Sequence, residues 1–142
     1  MKKKLSLEIV TPMKQELVTQ ASELVLPGLE GSFGVLPGHI PLVSALRPGM
    51  LKVRKDQIET IYAIGGGYAE ISEDKVIVLA DTAELADDID IEAARREKKR
   101  ALEQLKKGLK GSAIDAAEIS LKKAMARLSV ADTIHRRTTS KR

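Results

Sequence analysis

The sequence predicts an α+β protein in two parts: an N-terminal antiparallel β-sandwich, or flattened barrel, over residues 1–87, and a C-terminal antiparallel two-helix hairpin over 88–142. Three observations predict it. Apolar residues alternate with period two in short runs as far as Ala80, and after ELADDID the apolar spacing changes to three and four. The charge changes sign at the same place. Met1 to Asp87 carry 9 Lys/Arg against 12 Asp/Glu, a net of −3, whereas Asp88 to Arg142 carry 15 against 8, a net of +7.

The elements follow in order. In KLSLEIV the residues Leu5, Leu7 and Ile9 fall on one face, with Ser6 and Glu8 on the other, as in a half-buried strand. ELVTQASELVLPG, PLVSAL, GMLKVRK, ETIYAIGGGYAEIS and DKVIVLAD repeat that texture. Turn signals stand between them at TPMK, PGLEG, LPGH, RPG and SEDK. Strands so closely spaced, with no helical pattern between them, argue a sandwich or barrel. Asp88 or Asp90 is placed to cap the first helix, whose body IEAARREKKRALEQLKKG runs without interruption to Gly108. Ser112 and Asp115 have the spacing of a capping box opening the second. There Ile114, Ala117, Leu121, Ala124, Leu128 and Ala131 keep one apolar stripe. The short GLKGS break folds the helices back on each other. An alanine-rich stripe buries little area, which makes the hairpin a candidate mobile element.

Composition narrows the function. The chain has no cysteine, so disulfides and thiolate metal sites are excluded and a reducing compartment fits. No apolar run approaches the roughly 20 residues that span a bilayer, and MKKKLSLEIV lacks the apolar core of a signal peptide, so a cytosolic or peripheral protein is expected. Two isolated histidines, His39 and His135, make a poor metal site. No Ser or Cys nucleophile signature accompanies His39, and no carboxylate pair stands out, so an enzyme is not expected. His39 reads as a structural or interface residue inside GSFGVLPGHIPLVSALRPGM, where three prolines and four glycines impose tight turns. Gly65 to Gly67 precede no helix, and read as a glycine-rich turn or a close backbone approach within a sheet. The basic run Arg95, Arg96, Lys98, Lys99 and Arg100, with Lys106, Lys107 and Lys110, suits a solvated face, an acidic protein partner or nucleic acid. The hairpin has no aromatic side chain on which single-stranded bases could stack. One alternative is therefore a small nucleic-acid-associated protein that binds phosphates through the basic hairpin.

GSFGVLPGHIPLVSALRPGM, followed by IGGGYAEISEDKVIVLADTAE and a tail ending LKKAMARLSVAD, closely resembles the epsilon subunit of bacterial and chloroplast rotary ATP synthases. The resemblance runs in order over nearly the whole chain. It implies a β-sandwich over about residues 1–84 and a helical hairpin over about 88–137. It also implies a non-catalytic central-stalk subunit, bound to the gamma subunit and touching the ring of c subunits. Proton translocation would be coupled there to ATP synthesis, at the cytoplasmic face of the cell membrane. Ser32 and His39 become partner-contact residues. The resemblance further implies that the hairpin, extended, meets an acidic segment of the catalytic beta subunits and restrains ATP hydrolysis, with Lys122, Lys123 and Arg127 of its basic face as candidate inhibitory contacts. Some family members bind ATP through I-D-x-x-R-A. Here Ile89 and Asp90 match but alanine stands at Ala93, while Glu84, Lys123 and Arg127 fit in part. No cofactor is required, and ATP is expected only as a weak regulatory ligand.

Overall fold

The computed structural model describes residues 3–13 and 15–140. Met1, Lys2, Lys141 and Arg142, at the ends of the two expected segments, and Lys14 of the TPMK turn lie outside the described residues. Alternation makes the strands. In β1 (Leu5–Val10) the side chains of Leu5, Leu7 and Ile9 are fully buried while their neighbours are half-exposed, as a strand with one face on a core requires. β2 (Gln15–Ala21), β3 (Glu23–Gly28), β4 (Gly31–Val35), β5 (Leu42–Lys55), β6 (Ile58–Ile71), β7 (Lys75–Ala80) and β8 (Ala83–Leu85) follow.

The strands form one sheet in the order β2-β1-β7-β6-β5-β3-β4, with β8 also paired to β6. Pairing is antiparallel except between β1 and β7, which are parallel. β5 and β6 pair along their full lengths, from Leu42↔Ile71 to Lys55↔Ile58. One half of this long hairpin pairs with β7, the other with β3 and β8. The sheet thereby folds over on itself around Leu5, Leu7, Ile9, Leu24, Leu26, Leu51, Ile64, Val76 and Val78.

Two local expectations change, and one left open is decided. Arg47-Pro48-Gly49, expected as a turn, lies inside β5. Between the pairs Val25↔Lys52 and Gly28↔Leu46, β3 advances three residues and β5 six, so the proline sits in a bulge, where a missing N–H breaks no ladder bond. The run ELVTQASELVLPG, read as one segment, splits at Ser22, whose N–H and hydroxyl both donate to Arg54 O at 2.8 and 3.0 Å. That anchor lets β2 continue onto β1 and β3 onto β5. Gly65 to Gly67 form no turn. They lie within β6 as a close backbone approach, and at Gly67 (φ 136°) a Cβ would overlap the Leu79 carbonyl oxygen.

A 3-10 turn at Ala86–Asp88 leads to α1 (Ile91–Lys106) and α2 (Ser112–Ser140). Asp90 caps α1, its Oδ1 accepting from Ala93 N at 3.0 Å. Gly108 (φ 70°) supplies the left-handed residue just past the Lys107 C-cap. The capping box at Ser112 and Asp115 is not the start of α2. Asp115 N donates to Gly111 O at 3.4 Å, which places the first helical carbonyl on Gly111 and Ser112 already inside the helix. Between the helices Ala94, Ala101, Ala117, Ala124 and Ala131 are buried, so the alanine seam forms as expected, with Leu121 and Leu128 half-buried beside it.

Candidate functional site

Two regions concentrate the candidate residues. The first is the turn cluster between β3 and β5. Arg47 pins the β3–β4 hairpin, Nε donating to Gly28 O at 3.0 Å and Nη2 to the Ser32 hydroxyl at 3.2 Å. Ser32 is otherwise exposed at the hairpin end. After β4 the chain turns through Leu36 to Pro41, held by Gly38 N to Glu73 O at 2.6 Å and His39 N to Leu36 O at 3.2 Å. The His39 ring is half-buried, its Nδ1–H donating to Ile40 O at 2.7 Å. Around this fixed turn Leu36, Ile40, Leu42 and Val43 are 58, 78, 43 and 68% exposed. A run of large apolar side chains kept in water on an ordered loop is the mark of a contact surface.

The second region is the seat of the hairpin. Along β6, Tyr62 and Ile64 point into the sandwich while Ile61 and Ala63 point out, and α2 covers them. Ile61, Ala63, Ala86, Ile89, Val130 and Ala131 form a second core, with Met50 and Ile134 at its edge. Beside it stands Arg127. Its Nε and Nη2 donate to Glu84 Oε2 and Oε1 of β8 at 2.9 and 3.1 Å, and its Nη1 donates to Glu97 Oε2 of α1 at 3.1 Å. Hydrogen bonding to Glu84 holds the guanidinium above the usual arginine pKa despite the opposing effect of burial, and the charges of Glu84 and Glu97 add to the rise. At the end of α2, Arg137 Nη1 lies 3.2 Å from Glu59 Oε1 of β6.

Of the residues the sequence nominates for ATP, Glu84, Lys123 and Arg127 converge on one cavity of ≈ 20 Å³, with Thr82 and Gly65 in its wall, room for little more than a water. Ile89 and Asp90 do not join them: Ile89 is in the second core and the Asp90 carboxylate caps α1. Of the nominated inhibitory contacts only Lys122 is exposed; Lys123 and Arg127 are half-buried on the side of α2 that faces the sandwich. Sequence reasoning missed Glu97, Glu59 and the docking residues Val130 and Ile134. Glu97 had a signal, since it lies three residues after Ala94 and four before Ala101, which places it beside the seam, within reach of a cation on the facing helix. Among the described residues no group of three or more His, Cys, Asp or Glu could hold a metal, and no helix is long and apolar enough to cross a membrane.

Comparison with known proteins agrees along the chain. Residues 4–86 match the beta-sandwich domain, and residues 87–132 the long alpha-helix domain, of the ATP synthase delta/epsilon chain. The ATP synthase epsilon chain of Moorella thermoacetica is 40% identical over 92% of this chain and 98% of its own length. That of Desulforamulus reducens is 44% identical over 89% and 96%. A chain in the cryo-EM structure of the Euglena gracilis mitochondrial ATP synthase has the same fold, with a TM-score of 0.76 at 23% identity over 87% of this chain and 78% of that one. The sandwich, the hairpin and the relatives together make the chain a member of the ATP synthase delta/epsilon chain family, and within it an epsilon chain.

Proposed function

We propose that the chain is a non-catalytic rotor subunit of a proton-translocating ATP synthase. Residues 1–87 seat it on the gamma subunit and the c ring, and residues 88–142 form a mobile element that restrains ATP hydrolysis by reaching the catalytic beta subunits. The subunit lies at the cytoplasmic face of the cell membrane and is peripheral to it, held there by the complex. The observation that carries the reading is the ordered turn after β4, where His39 sits within a run of exposed Leu36, Ile40, Leu42 and Val43, with Ser32 exposed on the hairpin that leads into it. Family membership gives that surface its partners. The nucleic-acid alternative finds no support, because both family matches describe ATP synthase domains.

The hairpin part of the reading adds a condition. With Arg127 bonded to Glu84 and Glu97, and Lys123 turned to the sandwich, an inhibitory contact through these side chains requires α2 to leave its seat first. The test of the seat is binding of the full chain to isolated gamma subunit by titration calorimetry. A folded chain that shows no binding sinks the assignment.

A further inference from the structure

Arg127 bonds all three moving parts: β8 of the sandwich through Glu84, α1 through Glu97, and α2 by its own backbone. We propose that this shared guanidinium couples two openings that a two-helix appendage could otherwise make separately, undocking of α2 from the sandwich and separation of α1 from α2. The geometry gives the mechanism. Glu84 takes Nε and Nη2 in a fork, which fixes the guanidinium plane. Nη1 is then already aimed at Glu97, 3.1 Å away, and that bond forms without further ordering of the arginine. Once α2 undocks, the same bond must restrain a freely rotating side chain.

The apolar parts of the two interfaces do not supply this link. The α1–α2 seam is built on Ala94, Ala101, Ala117 and Ala124, while the docking core is Ile61, Ala63, Ala86, Ile89, Val130 and Ala131. Ala131 lies near both. Side-chain exposures of 20% for Arg127, 29% for Glu84 and 55% for Glu97 leave the network partly screened. The coupling is therefore expected to be modest, roughly fivefold rather than a hundredfold.

The test needs no partner protein, so its failure would leave the rotor assignment untouched. The chain contains no cysteine, so spin labels can be placed at will: Glu103→Cys with Glu118→Cys reads hairpin closure, and Glu70→Cys with Glu118→Cys reads docking. Electron–electron distance distributions are then compared for the parent, Glu84→Gln, Glu97→Gln and the double variant. The proposal expects Glu84→Gln to raise both the undocked and the separated populations roughly fivefold, Glu97→Gln to do the same more weakly, and the double variant to fall short of the product of the two. Arg127→Lys, which keeps the charge and loses the fork, should remove the coupling while retaining part of the docking. If Glu84→Gln changes only the docking distance and Glu97→Gln only the hairpin distance, the two interfaces open independently and the proposal fails. Multiplicative effects in the double variant overturn it equally.

Discussion

Val130→Ala should release the hairpin and leave the sandwich standing. Val130 is 1% exposed and packs among Ile61, Ala63, Ala86, Ile89 and Ala131, a set that shares no residue with the sandwich core around Leu7, Leu51 and Val76. The substitution removes two buried methyl groups, worth about 1.6 kcal/mol in transfer, and the cavity term brings the loss to about 2 kcal/mol. That is a shift of roughly 30-fold in the docking equilibrium. Helices without tertiary support fray, so amide exchange measured by mass spectrometry should accelerate by about that factor in peptides covering the docked part of α2, and by no more than the roughly fivefold coupling in peptides covering α1. Peptides covering β1 and β7 should stay within about twofold of the parent, because their protection depends on the other core. Leu51→Ala is the contrasting control: it empties a fully buried site of the sandwich and should cost about 2–5 kcal/mol of that domain's stability. Equal acceleration in the sandwich strands of Val130→Ala would refute the reasoning, since it would make hairpin and sandwich one cooperative unit.

His39→Ala should weaken binding to the gamma subunit while the melting curve shows no more than about 1 kcal/mol of lost stability, because the turn keeps its Gly38–Glu73 and His39–Leu36 backbone bonds. ATP should bind weakly or not at all by calorimetry: Arg127 is already bonded to two carboxylates, the adjoining cavity is ≈ 20 Å³, and the arginine absent at Ala93 forfeits a contact worth roughly 10- to 100-fold. Tight binding would refute this, and Ala93→Arg should strengthen any binding that exists. Deleting residues 88–142 should leave assembly intact and raise ATP hydrolysis by the assembled enzyme, a difference that salt erases as the Debye length falls from about 10 Å at 0.1 M. Lys122→Ala should give part of that gain, and is a cleaner probe than Arg127→Ala because Lys122 is exposed while Arg127 also holds the docked state. Unchanged hydrolysis at low salt in the assembled truncated enzyme would return the basic face to a merely solvated role.

Much of the fold was legible because its signals are local. Leu5, Leu7 and Ile9 announce their face by spacing alone and Ala117, Ala124 and Ala131 their seam, and these stand where the sequence puts them, while of the two candidate caps, Asp88 and Asp90, the structure uses Asp90. The failures are where a distant segment decides. Arg47-Pro48-Gly49 would make a turn in isolation, but pairing with β6 on one side and β3 on the other draws it into a bulged strand. Ser22 divides a continuous-looking run because Arg54, 32 residues away, captures it. The same holds for the site. The stripe on α2 named the surface that faces α1, and nothing local told that Val130 and Ile134, on a neighbouring face, would find Ile61 and Ala63. Glu84 and Arg127 came from a resemblance; Glu97 required knowing which residues the hairpin brings opposite each other.

β6 has an unusual position in this arrangement, as a wall with no wet side over the stretch Ile61 to Ile64. Tyr62 and Ile64 belong to the sandwich interior and Ile61 and Ala63 to the hairpin seat. Were the helices to leave, the outward pair and Met50 beside them would become an apolar strip on the sandwich surface, facing water. The departing helix uncovers a matching strip at Val130, Ala131 and Ile134. Two greasy surfaces created at once oppose each release in free solution, so a lone copy of the chain should spend its time closed. An extended hairpin can persist only where another surface takes over both strips, which makes the lifetime of the open form a property of the surrounding machine.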